Sequence, residues 1–188
     1  MRPSHLTSSR ESQMTARPFR LVPAVALLVA AVAAPAAAQM PDGTRFAVSA
    51  GAAVPLGDFA DAAKAGYTFG AQMQFPIGER FAVRVNGDWT HNTFSTDVSD
   101  LIGDGHWTQA GLMANAVWPV SQTGIYLLGG LGFYSVDSNA SGSDAESDLA
   151  YNVGAGVGRG RWFLEARYQS IQIDPTMNSM PIVFGWKF

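Results

Sequence analysis

Between Arg45 and Phe188 the sequence falls into eight runs of about ten residues in which apolar side chains return at every second position. A period of two is the period of a β-strand with one apolar face, because successive side chains of a strand point to opposite sides. The runs are Arg45 to Val54, Tyr67 to Phe75, Arg80 to His91, His106 to Trp118, Ile125 to Val136, Asp148 to Gly158, Trp162 to Gln172 and Met180 to Phe188. Their connections alternate in character. The first, third, fifth and seventh ("PLGDFADAAKAG", "NTFSTDVSDLIGDG", "DSNASGSDAES", "IDPTMNS") are longer and acidic, whereas the second, fourth and sixth ("PIGE", "PVSQTG", "RGR") are short turns. Long connections at one end and short ones at the other predict an all-β fold, an eight-stranded antiparallel up-and-down β-barrel.

Alternation alone leaves open which parity is turned inward, since a soluble barrel hides its apolar face and a membrane barrel displays it. One parity carries Phe46, Val48, Ala50, Ala52 and Val54, then Tyr67, Phe69, Ala71, Met73 and Phe75, then Phe81, Val83, Val85 and Trp89. The other carries Ser49, Gly51, Thr68, Gln72, Gln74, Arg84, Asn86 and Asp88. The aromatic positions favour lipid outside. With the short turns placed below, Phe46, Phe75, Phe81, Trp118, Tyr126, Trp162 and Phe188 fall near the lower strand ends, and Tyr67, Trp89, Trp107, Tyr134, Tyr151 and Tyr168 near the upper ends. Two such belts at headgroup level are expected of a transmembrane barrel.

The segment ahead of the barrel reads as a signal peptide. Arg17 and Arg20 precede "LVPAVALLVAAVAAPAAA", which ends in Ala36, Ala37 and Ala38 with Gln39 next. Pro23 and Pro35 interrupt the run, which argues against a retained membrane anchor. Residues 1–38 are therefore expected to be removed, leaving residues 39–188 as one barrel domain, with Met14 as an alternative start to Met1. Composition excludes several chemistries. The chain has no Cys, so disulfides, thiolate metal sites and cysteine nucleophiles are out. A formal charge of -3 without a Lys/Arg cluster beyond the N-terminus gives no reason to expect a nucleic-acid partner.

The last run, "PIVFGWKF", constrains the topology further. A sheet in lipid cannot leave an open edge, so the final strand is expected to close against the first, with Ile182, Phe184, Trp186 and Phe188 facing lipid and Val183, Gly185 and Lys187 facing the lumen. At these residues the sequence resembles the small outer-membrane β-barrel proteins of Gram-negative bacteria, including the OmpX-like and OmpW-like proteins. A final Phe preceded by alternating apolar residues is similar to that group's assembly signal. The resemblance implies delivery by periplasmic chaperones, insertion by the barrel-assembly machinery and residence in the bacterial outer membrane among its lipids. "GAAVPLGDF", Gly51 to Phe59, is similar to the first strand and loop of many members.

Candidate functional residues are few. Arg84 stands three residues above Phe81, Glu165 three above Trp162, and Asp88 and Arg167 lie further up the same two strands. These four inward charges are expected to neutralise one another across the lumen, with Gln72, Gln74 and Asn86 completing the hydrogen bonds. Such a network plugs the barrel; the same residues in the same places would also make a gating constriction. Ser49, Gly51, Gly70, Gly111, Gly154, Gly156 and Gly158 are small inward residues that either leave a narrow cavity or relieve crowding. His91 and His106, with Ser95, Ser99 and Asp104 between them, are candidates for a nucleophile and base or for a metal site. "HNTF" and "HWTQ" lack the His and Ser spacing of the lipid deacylase barrels, so the two are read as polar rim residues. The outer connections hold Asp58, Asp61, Asp97, Asp100, Asp104, Asp137, Asp144, Glu146, Asp148 and Asp174 against Lys64, without the spacing of a calcium loop. The leading expectation is a monomeric, non-enzymatic barrel with a structural or surface-contact role and no catalytic, cofactor or metal residues. A narrow channel for small apolar solutes is the alternative, and a lipid-modifying enzyme a third. Mass spectrometry of isolated outer membranes should find a protein that begins at Gln39; a mass that retains residues 1–38 would refute the signal-peptide reading.

Overall fold

The computed structural model describes residues 42–78, 80–120, 123–140 and 145–188. The segment read as a signal peptide and Asp144 lie outside them. Among the described residues the chain forms eight strands, β1 (Arg45–Leu56), β2 (Gly66–Ile77), β3 (Phe81–Thr93), β4 (His106–Pro119), β5 (Ile125–Ser138), β6 (Glu146–Arg159), β7 (Trp162–Ile171) and β8 (Met177–Lys187). Two short helices, α1 (Asp58–Ala62) and α2 (Thr96–Ile102), lie in the first two long connections. Each strand pairs with the next, and β1 pairs antiparallel with β8, so the sheet closes into a barrel.

Every expected strand is present, and several run further toward the long-loop end: β1 to Leu56, β3 to Thr93, β6 from Glu146 and β8 from Met177. The extensions of β3 and β6 carry no alternating apolar pattern, so periodicity could not mark them, whereas Leu56 continues the apolar parity of β1 beyond Pro55. Strands of 10 to 14 residues match or exceed the roughly 9–11 tilted residues that cross a bilayer's hydrocarbon. The seam between β1 and β8 runs from Ala47 opposite Lys187 to Leu56 opposite Asn178. It is finished by the Phe188 N–H, which donates to the Phe46 carbonyl at 2.9 Å. The β7–β8 ladder is interrupted between Ala166 opposite Ile182 and Gln169 opposite Ser179, where Pro181 has no N–H to give.

The faces are those of a barrel whose solvent is lipid. Phe69, Leu112, Leu131, Phe133, Val153 and Phe184 are exposed on the outside, while Arg84, Asn86, Asn115, Asn152, Glu165 and Arg167 are buried inside. Outward aromatic residues form belts at both ends: Phe46, Phe81, Trp118 and Trp162 below, with Phe81 and Trp118 centroids 5.5 Å apart, and Tyr67, Trp89, Tyr151 and Tyr168 above. Three residues expected in these belts are elsewhere. Tyr126 and Tyr134, 7 % and 1 % exposed, point into the lumen, and Trp107 packs edge-on against Phe59 and beside Phe94 beneath the loops. On β5 both parities carry large apolar residues, Leu127, Leu131 and Phe133 on one and Tyr126, Leu128 and Tyr134 on the other, so hydrophobicity does not separate the faces there.

The first two long connections are more ordered than their composition suggests. Ser95 caps α2 by accepting a hydrogen bond from the Val98 N–H at 3.3 Å. Phe59 on α1 is buried with Met113, Tyr134, Val136, Ala150, Ile171 and Met177, so the first loop covers the upper mouth of the barrel. Helices of five and seven residues are too short to show a helical period in sequence, and packing rather than propensity holds them.

The seam is also a place where the backbones leave no room for a side chain. A Cβ built on Gly51 would meet the Ile182 carbonyl and approach Val183 Cα to 2.7 Å. Gly51→Val should therefore block closure of β1 on β8 and abolish heat-modifiable migration on a gel. Gly129→Ala is the control, because its nearest neighbour, the Asn152 carbonyl oxygen, would lie at 3.5 Å. Equal folded yields for the two variants would show that the seam has room to spare.

Candidate functional site

Inward side chains at mid-height of β3 and β7 meet across the lumen. Arg84 Nη1 lies 2.5 Å from Glu165 Oε2, and Arg167 Nη1 donates to Asp88 Oδ2 at 3.2 Å. Arg167 Nε is also 3.4 Å from Glu165 Oε1, so the two pairs are linked into one network. All four groups are out of solvent, with Arg84 and Glu165 2 % exposed, Arg167 4 % and Asp88 9 %. Two cations and two anions make the group neutral, which a site in a low-dielectric interior requires.

Polar neighbours take up several of the remaining lone pairs and protons, while Arg167 Nε and Asn115 Oδ1 have no hydrogen-bond partner among the described residues. Tyr126 donates its hydroxyl to Glu165 Oε2 at 2.8 Å, and Tyr134 donates to Asp88 Oδ2 at 3.0 Å. Gln74 Oε1 accepts from Arg84 Nε and Nη2 at 3.3 and 3.2 Å. Asn86 donates to Asp88 and accepts from Asn115 at 2.6 Å. Gln72, expected to join them, makes no hydrogen bond to the network. The two tyrosines were not legible as site residues, though their shared parity with Gly130 and Gly132 on β5 is the signal that marks them as inward.

The small inward residues are seats for large ones. A Cβ on Gly111 would collide with the Tyr134 ring, and one on Gly156 with the Tyr126 ring. One on Gly154 would lie 2.9 Å from Arg167 Cγ. The space that glycine leaves is thus occupied by the network's own side chains. Above the network an apolar cluster lies beneath Phe59 and Met177, beside buried polar side chains such as Thr90, Gln109 and Gln169.

His91 and His106 lie outside this lumen, on the outer face, with ring centroids 4.6 Å apart. His91 stacks on Tyr67 and Trp89 at 5.1 and 5.9 Å, as part of the upper aromatic belt. The hydroxyl of Ser95, the candidate nucleophile beside them, accepts a hydrogen bond from the α2 backbone at 3.3 Å. Among the described residues no three His, Asp or Glu side chains gather to hold a metal ion.

Removing one member of the network orphans its partners. Glu165→Ala leaves Arg84 without its carboxylate and Arg167 with Asp88 alone, and should destabilise the barrel by about 3–5 kcal/mol. Denaturant unfolding followed by tryptophan fluorescence measures it. Adding Arg84→Ala should restore part of the loss, whereas a double variant no more stable than the single one would show that the charges do not depend on each other.

With the geometry in place, comparison with known proteins is specific as to fold. The crystal structure of Ail, the attachment invasion locus protein of Yersinia pestis, is similar at a TM-score of 0.56 and 15 % identity, with 77 % of this chain and 97 % of that chain covered. Ail in complex with the heparin analogue sucrose octasulfate aligns at 0.51 and 16 % identity, covering 77 % of this chain and 99 % of that one. The neisserial surface protein A aligns at 0.53 and 16 % identity, covering 78 % and 96 %. No curated protein matches the sequence. The sequence profile described as "Outer membrane protein beta-barrel domain" matches residues 24–188, and its span together with the closed eight-stranded barrel establishes that this chain belongs to that family of bacterial outer-membrane proteins.

Proposed function

We propose that the protein is a monomeric, non-enzymatic outer-membrane barrel with a sealed lumen, whose loop end makes contacts at the cell surface. The observation that carries this reading is the closure of the lumen by two successive fillings, the neutral network of Arg84, Asp88, Glu165 and Arg167 and the apolar cluster around Phe59. With eight strands the interior is just wide enough for side chains, and here the side chains use it. The loop end is what remains to meet a partner. Its acidic residues, Asp58, Asp61, Asp97, Asp100, Asp104, Glu146 and Asp148 among them, face Lys64 alone. This charge favours cationic partners, or anionic lipid bridged by divalent cations, over the sulfated sugar that accompanies Ail. In the same reading residues 1–38 are removed on export, and Ile182, Phe184, Trp186 and Phe188 serve as the signal read by the assembly machinery.

One feature supports a narrow channel as the second reading. The Asn152 amide and Gln109 Nε2 are buried in the lumen with no protein partner among the described residues, and such groups are at home along a hydrated path. Reconstitution in liposomes separates the two. Fluxes of ions and of an apolar solute equal to those of empty liposomes are expected, and a steady flux of either would make the channel the better account.

A further inference from the structure

We infer that the short-turn end of the lumen is a binding site for a small oxyanion of the phosphate class. A cavity of about 360 Å³ lies there, lined by Arg45, Gln74, Arg84, Tyr126, Gly158 and Lys187 among others. Three cationic side chains thus border one space. Arg84 is committed to Glu165 at 2.5 Å, whereas neither Arg45 nor Lys187 has a carboxylate within ion-pair distance among the described residues. The four charges of the mid-lumen network cancel one another, so the positive charge of Arg45 and Lys187 is left uncompensated by it.

The Lys187 ammonium is held in place rather than free in solvent. Its Nζ lies 5.8 Å from the centroid of the Phe163 ring, the same ring that Arg84 Cζ approaches to 6.0 Å. On its other side stands Gly158, where an added Cβ would lie 2.8 Å from Nζ, so the absence of a side chain at 158 makes the ammonium's seat. Two cations are thereby brought against one ring, Arg84 paired with Glu165 and Lys187 with no carboxylate within ion-pair distance among the described residues. Gln74 gives its Oε1 to Arg84, and its Nε2 donor has no partner among the described residues. An ammonium, a guanidinium and an amide N–H around a cavity this size suit a compact, multiply charged oxyanion, which accepts several charge-assisted hydrogen bonds at once. Short turns face the periplasm in barrels of this kind, so the oxyanion would arrive from that side, either as a soluble phosphate or as the phosphate of an inner-leaflet lipid headgroup.

The test is calorimetric titration of inorganic phosphate into the purified protein in uncharged detergent at low salt. Saturable one-site binding that weakens with added chloride is expected. Lys187→Gln and Arg45→Gln should each weaken it at least tenfold, and Lys187→Arg should retain it. Arg161→Gln, in the neighbouring turn and outside the cavity, should leave it unchanged. Heat-modifiable migration establishes that each variant is a closed barrel. Repeating the titration in nanodiscs containing phosphatidylglycerol distinguishes the sources: an apparent affinity lowered by competition assigns the site to a headgroup, and an unchanged one assigns it to a soluble ion. Absence of saturable binding to the unmodified protein, or an equal loss in Arg161→Gln, would overturn the inference. Its failure would leave the sealed-barrel reading untouched, since that rests on flux.

Discussion

Backbone amides in a bilayer have no water to turn to, and an unpaired N–H or C=O there costs several kcal/mol. Every other feature of this fold follows from meeting that demand with strands. Eight strands pair in sequence, and the seam of β1 with β8 leaves no edge. The interruption at Pro181 shows how narrow the tolerance is, because the residue that lacks an N–H breaks the ladder on its β7 side while β1 continues to pair past it.

Closure then sets the interior problem. A ring of eight strands encloses a space too narrow for a general pore and too wide to leave unfilled. At mid-height polar side chains fill it, with apolar clusters above and below them. Once polar, the filling has to be neutral and hydrogen-bonded, which Arg84, Asp88, Glu165 and Arg167 accomplish with Tyr126, Tyr134, Gln74 and Asn86 around them. The glycines on neighbouring strands are the counterpart of this arrangement, each removed side chain making room for a longer one.

How much of this can be read in the sequence depends on how local each constraint is. Strand positions and their order are legible because lipid on one side enforces alternation along each strand, as on β1 from Phe46 to Val54. The facing heights of Arg84 and Glu165 can be counted from Phe81 and Trp162, because both start from the same belt. Tyr126 and Tyr134 cannot be placed in this way, since both parities of β5 are apolar and only glycines, Gly130 and Gly132 on the same parity and Gly111 and Gly156 on the neighbouring strands, reveal which way a tyrosine leans. Trp107, read as a belt residue, is instead covered by Phe59 and Phe94, and that depends on loops folding back from distant positions. The vestibule's Arg45 and Lys187 belong to opposite ends of the barrel sequence and become neighbours only through ring closure.

The burial of Phe59 has a consequence for the order of assembly. Its cluster is built from Met113, Tyr134 and Val136, Ala150, Ile171 and Met177, which belong to β4, β5, β6, β7 and β8 respectively. None of those partners has been synthesised when α1 leaves the ribosome, and they do not form one surface until the ring is complete. The first loop of the chain is therefore the last part to find its place, and it settles on residues that the strands after it have gathered.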